Sequence, residues 1–109
     1  MEILHLYYVP WTPGPSLPAE LIGLPYDYPA VITAFENFLT NLHTQLPTLS
    51  ASGKLKWIHI GNEIDAYLES DTTRWLEWQT FFQAAKAKVH ALWRTDVEVT
   101  CKSVAIPQV

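Results

Sequence analysis

The chain has 109 residues, 49% of them hydrophobic and 17% charged, with a net charge of −4. That composition allows one globular domain and excludes a disordered chain. It shows no basic face for nucleic acid, no apolar run near the roughly 20 residues of a membrane-spanning helix, and, with one cysteine, no internal disulfide or Cys-based zinc cluster.

The N-terminus does not read as a signal peptide. Glu2 stands where a basic region belongs and no small-residue cleavage site follows Val9, so the cytoplasm is the default location. Residues 3–9 form an almost wholly apolar run, which reads as a strand buried on both faces, as in a parallel sheet. His5 within it reads as a hydrogen-bonded core residue. Residues 10–28 are a loop, because six of the eight prolines fall between Pro10 and Pro29 and forbid a strand or helix interior. One short helical turn around Ala19 to Ile22 fits between them. Trp11, Tyr26 and Tyr28 make this an ordered loop that covers something, either as plain surface packing or as a substrate lining.

A first helix is expected over 29–46, capped by Asp27 or Tyr28, with Pro29 tolerated in its first turn. Val31, Ala34, Phe35, Phe38, Leu42 and Gln45 or Leu46 recur at three- and four-residue steps as its apolar face, and Pro47 stops it. Ser50 to Gly53 is a short polar loop. Residues 56–62 are a second strand, and Gly61 lets the backbone turn at its end. The second helix, over 71–94 with Ser70 or Asp71 as cap, has Trp75, Trp78, Phe82, Ala85, Val89 and Leu92 as its buried stripe. Residues 97–106 are a third strand, in which the Cys101 thiol reads as buried and inert.

The order strand, loop, helix, strand, helix, strand implies an α/β fold with a parallel βαβαβ sheet. Active sites of such sheets gather at the C-terminal ends of the strands. Here those ends carry Trp11, then Asn62 and Glu63 followed by Asp65 and Tyr67, then the tail after Cys101. With Glu63 facing inward, alternation sends Trp57, His59 and Gly61 the same way, and Ile58 and Ile60 outward to the helices.

The run Ile58-His59-Ile60-Gly61-Asn62-Glu63 resembles the end of the fourth strand in retaining glycoside hydrolases of clan GH-A. That resemblance implies an incomplete segment of a TIM (β/α)8 barrel, from its third strand to its fifth. It implies Glu63 as the general acid/base and Asn62 as the contact to the sugar 2-hydroxyl, with a carbohydrate as substrate. Trp11, Asp65 and Tyr67 would line the substrate. The clan's nucleophile is a Glu on the seventh strand, beyond these three strands, and a complete barrel takes roughly 250 residues. The chain therefore reads as a truncated frame, an excised piece or a relic, inactive alone, whose sheet edges need the remainder of the barrel or self-association to cover them.

Two other readings stand beside this one. A carbohydrate- or partner-binding module would use Trp11, Tyr26, Tyr28 and Tyr67 as a stacking platform. A self-sufficient α/β domain of unrelated function would use Glu63 as a mere cap. No metal site is expected, since His5, His43, His59 and His90 show no i, i+3 or i, i+4 pairing and HExxH is absent. Nor is a cofactor: the four glycines are too far apart for a phosphate loop, and no nucleophile elbow exists.

Overall fold

The computed structural model describes residues 2–6, 21, 24–51, 53, 55–61 and 70–101. Their elements are β1 (Glu2–Leu6), α1 (Pro29–Gln45), α2 (Pro47–Ala51), β2 (Leu55–Ile60), α3 (Thr72–Leu92) and β3 (Glu98–Thr100). The three strands form one parallel sheet in the order β1-β2-β3, so the fold is mixed α/β with the expected βαβαβ order. The expected strand residues 7–9 and 102–106, the strand end at Asn62, and most of the proline-rich loop lie outside the described residues.

Helix starts follow from local chemistry. Tyr28 precedes a proline, which disfavours the helical region, and it is extended with ψ 131°. Its carbonyl accepts from the Val31 and Ile32 amides at 2.9 and 3.1 Å. Its side chain makes no capping bond. Asp71 caps α3 through its carboxylate, which accepts from the Arg74 amide at 3.1 Å. Pro47 ends α1 as expected but also begins something: at the first position of a helix its missing N–H costs nothing. The short α2 therefore occupies the start of the stretch expected to be loop.

The core is one cluster in which Val31, Phe35 and Leu39 of α1 meet Phe81, Ala85 and Val89 of α3 over Ile58 and Ile60 of β2. Both long helices thus lie against the same face of the sheet. The stripes differ in phase from the sequence reading. In α1 the buried line runs Val31-Phe35-Leu39 and leaves Phe38 41% exposed. In α3 it runs Trp78-Phe81-Ala85-Val89, so Phe81 takes the buried place expected of Phe82, and Trp75 is 39% exposed. Adjacent apolar residues are about 100° apart on a helix, and the position of the sheet decides between them.

Tyr26 is fully buried. Its ring meets Trp78 edge-on at 5.4 Å and lies 6.5 Å from Phe81, while its amide donates to Glu77 Oε1 at 3.2 Å. Tyr26 is therefore a core plug and not a platform for sugar stacking, whereas Tyr28 is exposed.

Candidate functional site

β2 sorts its side chains by face. Ile58 and Ile60 are buried beneath the helices, while Trp57 and His59 are half-buried on the other side. β3 extends both rows. Val99 stands beside Ile58, and Glu98 and Thr100 stand beside Trp57 and His59. The Trp57 indole N–H donates to the Glu98 carboxylate, which fixes the ring in place on this face. In the β1 register Ile3 is the partner of Trp57 and His5 the partner of His59. The face opposite the helices thus carries an indole, an imidazole, a carboxylate and a hydroxyl.

The strand ends at Gly61, which is buried and has φ 83°. That left-handed conformation suits glycine, because a Cβ there meets the following carbonyl oxygen. The permissive backbone expected of Gly61 is therefore used. Gly61 lies directly before Asn62 and Glu63. Those two residues, together with Trp11, Asp65 and Tyr67, lie outside the described residues.

No protein family, curated protein or solved structure matches this chain.

The opposite end of the sheet is built differently. The Arg94 guanidinium donates to the Leu55 carbonyl at the start of β2 and, at 2.9 Å, to the Asp96 carboxylate. That bond, with Lys56 nearby, holds the Asp96 carboxyl below its ordinary value of 3.8. His90 bonds the Val97 carbonyl at 2.9 Å. A carbonyl only accepts, so His90 Nε2 carries the proton.

Cys101 is exposed, contrary to the expected buried thiol. It shares the parity of Val97 and Val99, which are buried, but α3 borders it without burying it. It lines instead an apolar groove of about 360 Å³ with Thr72, Trp75, Leu76, Trp78, Gln79 and Phe82. Among the described residues no group of three His, Cys, Asp or Glu could hold a metal ion. No helix among them is long and apolar enough to cross a membrane.

The sequence reading missed Glu98 and Thr100. The alternation Val97-Glu98-Val99-Thr100 was the available signal, since period-two polarity puts both polar residues on one face.

Proposed function

We propose that this chain is part of a retaining glycoside hydrolase of clan GH-A, with its three strands a stretch of barrel wall and Glu63 the acid/base. The observation that carries the reading is the make-up of β2. It lies in the middle of a parallel sheet whose spatial order follows chain order, with both crossover helices on its Ile58/Ile60 face. A doubly wound sheet has helices on both faces and a reversal of strand order. A barrel wall has helices outside and a packed interior. In this reading Trp57, His59, Glu98 and Thr100 face that interior, and the chain turns at Gly61 toward Asn62 and Glu63.

Glu63 gives its proton to the leaving oxygen in the first half-reaction and takes one from water in the second. The nucleophile sits about 5–5.5 Å away, on a strand beyond these three. Asn62 holds the sugar 2-hydroxyl, and Trp11, Asp65 and Tyr67 contact the carbohydrate. Alone, the three strands do not hydrolyse glycosides; the remainder of the barrel supplies the second carboxylate. The stacking-platform alternative is weakened by the burial of Tyr26. The unrelated-domain alternative draws support from the single continuous core.

The test is the longer reading frame carrying Glu63→Ala, assayed on aryl glycosides of graded leaving groups. Loss of roughly 10²–10⁴-fold is expected for poor leaving groups, the range of general acid catalysis. Much less is expected for good ones, which depart without a proton. Equal loss across the series removes Glu63 from the acid role.

A further inference from the structure

We draw no further inference here: the strongest candidate, the apolar groove that α3 forms with Cys101 and in which Trp75 and Leu76 are exposed, carries nothing, because nothing in the structure shows what covers it.

Discussion

The two ends of the parallel sheet are built on opposite principles. At the end where β2 begins, polar side chains close the structure: Arg94 ties the turn after α3 to the Leu55 carbonyl and to Asp96, and His90 holds the Val97 carbonyl. At the end where β2 finishes, the backbone passes through a left-handed glycine, and the sheet face there keeps a Trp, a His, a Glu and a Thr half-buried or exposed. One end is fastened, the other is shaped. In parallel α/β enzymes that division separates stability from chemistry, and it can be probed residue by residue.

The largest expected effect breaks both ends together. Phe81 is buried between Phe35 and Trp78, with ring centroids 5.1 Å from each. Phe81→Ala should cost about 3–5 kcal/mol by urea unfolding, the range for a deleted core aromatic. A cost below about 1 kcal/mol would move the core away from the α1–α3 contact.

Next comes the shaped end. Gly61→Ala should cost roughly 1–2 kcal/mol, the steric penalty of the left-handed region. Gly61→Asn should recover part of it, because Asn tolerates that region. Equal destabilisation by both variants would point to crowding around the Cβ and not to φ.

At the fastened end, Arg94→Met keeps much of the stem and removes the fork. The guanidinium is partly exposed, so solvent screens its pairing, and about 1 kcal/mol is expected from thermal melts. The smallest effect is in pH. Asp96 has a depressed carboxyl in the folded state, so its contribution is present above about pH 4 and fades as pH falls through the folded value. The stability gap between the chain and its Asp96→Asn variant should be flat near neutrality and shrink in acid. A gap that widens in acid would reverse the assigned sign.

The coarse fold was legible because it rests on patterns that tertiary structure seldom overrides. Apolar runs gave β1 and β2, the Asp71 cap and helical spacing gave α3, and the left-handed backbone at Gly61 followed from a glycine placed at a strand end. What failed was phase. Phe81 and Phe82 are neighbours in sequence and nearly equal as hydrophobes, so spacing alone could not choose between them; the sheet chose Phe81. Cys101 failed for a related reason: parity put it on the helix face, but α3 borders it across an open groove and leaves it exposed. Pro47 was read as a full stop when its chemistry also permits a new start. The candidate site was legible only as a motif. Of its approach the described fold contributes Trp57, His59 and Gly61, while Asn62 and Glu63 rest on resemblance.

β2 also contains an irregularity at its beginning. The register passes from Glu2 opposite Leu55 to Ile3 opposite Trp57, so Lys56 is one residue more than β1 requires. Leu55 and Ile58 are both buried although their parities differ, with Lys56 exposed between them. The extra residue works as an expansion joint. A change of one residue in the loop around Gly53 can be absorbed by gaining or losing this bulge, without reversing which faces Trp57, His59 and Gly61 present. Loop length on one side of the molecule is thereby insulated from side-chain phase on the other, and the connection can drift in evolution while the aim of the strand stays fixed.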